Sequence, residues 1–190
     1  MKRVYIIGVL VTICLMLWTI PLYAAPVPEG FVGVSWGASR AQVRQIMSER
    51  GWMRLDGASP SAESFKGAFN GMSSQLTFIF EGESFVEGTG DYLARVPERS
   101  IAFTTQKYEE TVRSLTEKYG PPTESKNKNF GGFASWKIVD TNTADEYTIY
   151  ALCLGMSFYD TMDGMKEKHS SFSITYTAES LKKRLSKQGI

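Results

Sequence analysis

The chain has 190 residues, 43% hydrophobic, 13% aromatic and 22% charged, a composition that excludes intrinsic disorder over most of its length. Its 21 Lys and Arg against 20 Asp and Glu leave no basic excess for neutralising phosphates, which excludes a dedicated nucleic-acid binder. One His and two Cys are too few for a metal cluster or a Cys/His catalytic pair.

The N-terminus reads as an address. Lys2 and Arg3 form a positive start, Val4 to Ile20 an apolar run, and Pro21 with Ala24-Ala25 a small-residue exit. That order is a secretory signal peptide, residues 1–24, with cleavage after Ala24. Pro21 closes the apolar run at a length short for a retained membrane anchor. Cys14 follows Ile13 inside the run, without the small preceding residue that lipidation requires. Loss of residues 1–24 leaves 166 residues, with 19 basic and 20 acidic side chains. Cys153 is then alone and has no internal disulfide partner. It lies in the run Tyr147 to Leu154, which predicts a strand buried on both faces and an inert thiol.

In chain order, residues 25–30 predict a mobile Pro-rich leader. Ser39 and Gln42 form a capping box, and Val43, Ile46, Met47 and Arg50 share one helical face before Gly51. A helix over 40–50 follows. Phe65, Gly67 and Phe69 alternate as a strand, and Asn70-Gly71 signals a hairpin into a second strand bearing Leu76, Phe78 and Phe80. Phe85-Val86 and Tyr92 to Val96 predict a third strand, interrupted by a turn at Gly88-Thr89-Gly90. A second helix is predicted over 106–119, with a Thr104/Thr105 cap and the stripe Tyr108, Val112, Leu115 and Tyr119. Gly120-Pro121-Pro122 ends it, and Thr123 to Gly132 reads as a polar loop.

Ala134/Trp136/Ile138, the 147–154 run and Phe172/Ile174/Tyr176 supply the remaining strands. Ser171, Ser173, Thr175 and Thr177 occupy the opposite face of the last strand, which therefore meets water or a partner. A short basic helix, Glu179 to Lys187, closes the chain with Leu181 and Leu185 inward. The fold class is α+β, with helices on one face of an antiparallel sheet. The element order divides 31–190 into two αβββ-like halves, about 31–103 and 104–190; Val43 to Gly51 also aligns with Val112 to Gly120 at an offset of 69 residues, as an internal repeat or as two amphipathic helices that each end in Gly.

The stretch Phe31 to Ile46, through Trp36-Gly37, Ser39 and Val43, resembles the opening motif of the SmpA/OmlA (BamE-like) proteins and of β-lactamase inhibitor protein. The resemblance implies a helix lying on an antiparallel sheet. The tandem plan is similar to the inhibitor, and the helix start to exported bacterial proteins of unknown role. It implies protein binding as a shared theme. The lipobox of the first group and the paired cysteines of the second are absent from this chain.

No nucleophile–base pair stands out. Trp36 reads as an apolar anchor at the helix start, and His169 as a solvated imidazole in the charged loop Lys166 to Ser170. Asp160, Asp163 and Glu167 lack the alternate spacing of a calcium loop, and Asp163-Gly164 reads as a turn. Lys182, Lys183, Arg184 and Lys187 could touch anionic lipid, yet the C-terminal end of a helix favours cations in any case. No cofactor or metal is expected. The strands carry more aromatic residues than two short helices can cover, so Trp136, Tyr150 and Tyr159 are candidate protein-contact residues on a helix-free sheet face. The expectation is an exported, non-enzymatic protein-binding or envelope-associated module, found in the periplasm or secreted. The alternative is a small extracytoplasmic hydrolase.

Overall fold

Four residues after Gly30, the chain has already doubled back on itself. The computed structural model describes residues 26–57, 59–69, 72–94, 99–128, 131–160 and 166–188. β1 (Gly30–Phe31) and β2 (Val34–Ser35) form a small hairpin, followed by helix α1 (Arg40–Glu49). Four strands come next: β3 (Met53–Leu55), β4 (Ala62–Phe69), β5 (Met72–Glu81) and β6 (Ser84–Ala94). The long helix α2 (Arg99–Tyr119) precedes β7 (Glu124–Lys128), β8 (Gly131–Val139), β9 (Glu146–Asp160) and β10 (Lys166–Ala178). Helix α3 (Glu179–Gln188) ends the described chain.

Strands β3 to β10 form one antiparallel sheet in the order β3-β4-β5-β6-β10-β9-β8-β7. Each half starts at an outer edge and steps inward, so β6 and β10 meet at the centre. The architecture is α+β, mostly sheet, with α1 and α2 packed at one side. Each helix precedes four strands rather than three. The two strands missing from the sequence reading are the edges. β3 is three residues long, and β7 (Glu-Ser-Lys-Asn-Lys) has no apolar residue, which corrects the loop expected over Thr123 to Gly132. Short, charged edges resist pairing with other chains but carry no hydrophobic period.

Local chemistry explains α1. Ser39 Oγ accepts from the Gln42 N–H and Gln42 Oε1 accepts from the Ser39 N–H, at 3.3 and 2.8 Å. Val43 and Met47 are fully buried on the sheet. Gly51 leaves the helix at φ +74°, a conformation that a Cβ would strain.

α2 starts well before residue 106. Thr104 is no cap: it lies inside the helix, and its hydroxyl is hydrogen-bonded to that of Ser170 on β10 at 2.8 Å. Thr104, Tyr108, Leu115 and Tyr119 form the buried stripe, with Val112 half-buried. The division expected between 103 and 104 therefore falls inside α2, and the element order divides the chain before Arg99.

β6 also differs from expectation. It runs unbroken through Gly88-Thr89-Gly90. A Cβ at Gly88 would lie 2.2 Å from the Phe31 ring, so the glycine gives clearance for an aromatic lid rather than a turn. The leader's last residues are held as well: the Pro28 carbonyl accepts from Trp36 Nε1 at 2.7 Å, and Pro28 is buried. Trp36 itself stacks on Phe85 at 5.0 Å, as an anchor beside the start of α1.

His169 stands in β10, opposite Ser157, and not in a loop. Asn70-Gly71 and Asp163-Gly164 lie outside the described residues, as do residues 1–24, whose sequence reads as a signal peptide. Among the described residues no helix is long and apolar enough to cross a membrane. α3 is pinned to the sheet by Lys182–Glu87, Lys183–Glu146 and Arg184–Asp145 ion pairs. Leu181 and Leu185 are only half-buried beneath it.

Candidate functional site

Strand alternation sorts the side chains of the sheet into two faces. The face under α1 and α2 holds the core, including Phe65, Leu76, Phe78, Ile149, Cys153 and Phe172. Burial holds the Cys153 thiol above its ordinary range, which keeps it protonated and unreactive.

The second face is the candidate site. β9 presents Tyr150, Leu152 and Leu154 there, with relative exposures of 38, 38 and 50%. The expected burial of the 147–154 run on both faces is thus corrected. With α1 and α2 at one side of the sheet, neither of these helices covers the apolar residues on the other side of β9. On β8, Phe133 lies opposite Leu152 and its ring is 6.0 Å from that of Tyr150, while Val139 is exposed further along.

The patch has polar borders. On β10, Ser171, Ser173 and Thr175 pair in register with Leu154, Leu152 and Tyr150. Beyond them lie Thr89, hydroxyl-bonded to Thr175 at 3.1 Å, and Asp91, whose carboxyl is pushed above its ordinary range by burial. On the other side, Lys126 of β7 stands opposite Phe133 and pairs with Glu124. Phe133, Tyr150 and Leu152 line a shallow depression of about 390 Å³, ending at Glu87 and Glu179. An apolar centre with a hydroxyl and charged rim is the anatomy of a protein-contact surface. Among the described residues, no group of three or more His, Cys, Asp or Glu is placed to hold a metal ion.

The three candidate aromatics separate. Tyr150 lies at the centre of the open patch. Trp136 is 1% exposed on the helix side, its indole N–H donating to the Gly120 carbonyl at 2.9 Å, so it belongs to the core. Its position two residues along β8 from Ala134 puts it on the buried face by simple alternation. Tyr159 is placed by its backbone alone, opposite Glu167. Leu152, Leu154, Phe133 and Val139 were not singled out from sequence. Of the four basic residues of α3, Lys182, Lys183 and Arg184 are paired with carboxylates of this chain, which leaves Lys187 to face solvent. No known family model, curated protein or solved structure matches this chain.

Proposed function

We propose that this chain is an exported, non-enzymatic protein-binding module whose contact surface is the β8–β9 patch on the open face of the sheet. The observation that carries the reading is the row Tyr150, Leu152 and Leu154, three large apolar side chains turned to solvent on consecutive outward positions. Export rests on the charge, apolar run and small-residue order of residues 1–24. The mirrored strand order, helix followed by four strands in each half, supports a tandem arrangement of helix-on-sheet units like those of the SmpA/OmlA and β-lactamase inhibitor groups. Ion pairing of three basic residues within α3 argues against a membrane-surface role for that helix.

Affinity capture from the envelope and medium of the native cells, followed by mass spectrometry, tests the reading. The double variant Tyr150→Ala, Leu152→Ser should retain at least about tenfold less partner, since a central contact residue contributes about 2 kcal/mol or more. Its unfolding free energy should change by no more than about 1 kcal/mol, because both side chains are substantially exposed. Undiminished capture by the folded variant would sink the reading.

A further inference from the structure

One row of paired residues crosses five strands of the open face: Lys126 of β7, Phe133 of β8, Leu152 of β9, Ser173 of β10 and Asp91 of β6. The row is apolar in the middle, with charges of opposite sign at its two ends. Its Asp91 end lies beside the depression that reaches Glu87 and Glu179. α3 closes one end of that depression. Lys182 reaches down to Glu87 there, and Thr148 and Thr177, which point outward by register, are buried.

We infer that the β8–β9 patch takes a basic-apolar segment of its partner, whose large apolar side chains cover Tyr150 and Leu152 while a Lys or Arg reaches over β10 to Asp91. The inference rests on the contact-face reading and names the chemistry of what that face holds. Three observations converge on it. First, Asp91 is a carboxylate that the fold leaves over. Among the described residues no ion pair or hydrogen bond engages its side chain, and burial alone acts on its carboxyl. Set between Gln75 and Ser173 in mid-sheet, it is partly desolvated without a counter-charge, which an arriving cation supplies.

Second, charge is segregated across the patch among the described side chains. The β6 and α3 border carries Asp91, Glu87 and Glu179 against the ammonium of Lys182, which Glu87 takes at 2.7 Å. Lys183 and Arg184 of α3 are held by Glu146 and Asp145. Lys137 and Lys126, the latter paired with Glu124, stand on the β8 and β7 border, and Lys66 of β4 lies beyond Gln75. Lys126 is four strand spacings from Asp91, about 19 Å. A basic group of the partner is therefore favoured at the β6 border and disfavoured at the β7 border. Third, the step from patch to carboxylate is low and short. Ser173 and Thr175 separate Leu152 and Tyr150 from β6, and their small side chains leave room for an alkyl stem above them. From β10 to Asp91 is one strand spacing, about 4.8 Å, which the stem of Lys or Arg spans. The segment itself stops over β10, so Gln75 on β5 stays outside its footprint.

Selection of a random phage-displayed library of about twelve-residue peptides against the purified chain tests the inference. Enriched peptides should carry a Lys or Arg within two positions of a large apolar residue. Asp91→Asn, which keeps the side-chain shape and removes the charge, should weaken them by about tenfold, and Asp91→Lys by more. Replacing the basic residue of the peptide by Glu should abolish binding. Glu117→Gln, an exposed carboxylate on α2, should leave binding unchanged, and circular dichroism confirms the fold of each variant. Peptides without a basic residue, or binding undiminished by Asp91→Asn, would overturn the inference, while their loss in Tyr150→Ala, Leu152→Ser would still support the contact face. No enrichment, or peptides indifferent to Asp91 and to Tyr150 and Leu152 alike, would overturn both.

Discussion

Trp136→Ala should lower the unfolding free energy by about 3–5 kcal/mol, the range for truncating a large buried aromatic. Trp136 is the largest of the fully buried side chains among the described residues, 1% exposed on the helix side of β8. Its loss removes apolar contact beneath α2 and leaves a cavity that the surrounding strands cannot close. It also leaves the Gly120 carbonyl without the indole N–H that holds the end of α2 to the sheet at 2.9 Å. Trp136→Phe separates the two contributions: it keeps a ring in the core and loses the hydrogen bond, a term of about 1 kcal/mol. Urea denaturation of the two variants beside the wild type makes the measurement. A loss below about 1 kcal/mol for Trp136→Ala would place the residue at the surface and remove the distinction drawn between the two faces.

Glu63→Gln should cost about 2–3 kcal/mol at neutral pH, the value of charge-assisted hydrogen bonds lost from a buried acceptor. The Glu63 carboxylate is 3% exposed on β4, and three guanidinium groups converge on it. Arg54 Nε donates at 2.8 Å, Arg44 donates from α1, and Arg40 stands at 3.8 Å. This cluster fastens α1 and β3 to the sheet. Arg44 and Arg54 are about half exposed, so water takes over part of their solvation in the variant and keeps the loss moderate.

The hydrogen bond from Arg44 is the largest influence holding the Glu63 carboxyl below its ordinary range. A carboxyl with a lowered folded-state pKa stabilises the fold above its unfolded value, about 4.3, and loses that contribution as pH falls through the folded value. The stability gap between wild type and Glu63→Gln should therefore be full at pH 7 and shrink steadily below about pH 4.3. A gap that stays constant down to pH 2 would show that the carboxylate charge is not the stabilising element.

The parts legible in sequence were those settled by neighbours in the chain. The capping box of α1 is a contact between residues three apart, and Gly51 and Gly120 end their helices with positive φ for the same local reason. What failed was settled at a distance. The Thr104-Thr105 pair has the chemistry of a cap, but its role depends on Ser170, which arrives on β10. Gly88 and Gly90 look like a turn until Phe31 is laid over them. β7 buries no side chain among its described residues and so has no periodicity to read.

The contact face was half legible. The hydroxyl row Ser171, Ser173, Thr175 and Thr177 marked one face of β10 as open; Thr177 is in fact buried, and strand register carries the other three directly to Leu154, Leu152 and Tyr150. A run apolar on both faces predicts burial on both, unless something outside the chain covers one of them. The misplacement of Trp136 has a different root: its parity with Ala134 and Ile138 is readable along β8 itself, and that parity places it in the core.

The central claim is that the open face of β8 and β9 meets a protein partner. Site-specific photo-crosslinking in the native cells tests it most directly, with benzoyl-phenylalanine placed in turn at Leu152, Leu154 and Gln75. All three positions lie on the open face, the first two within the apolar patch of β9 and Gln75 between Ser73 and Thr77 on the outward side of β5. The account predicts a discrete higher-mass adduct on illumination at Leu152 and Leu154, and none at Gln75. Absence of any adduct at Leu152 and Leu154, or equal adducts from all three positions, would contradict it.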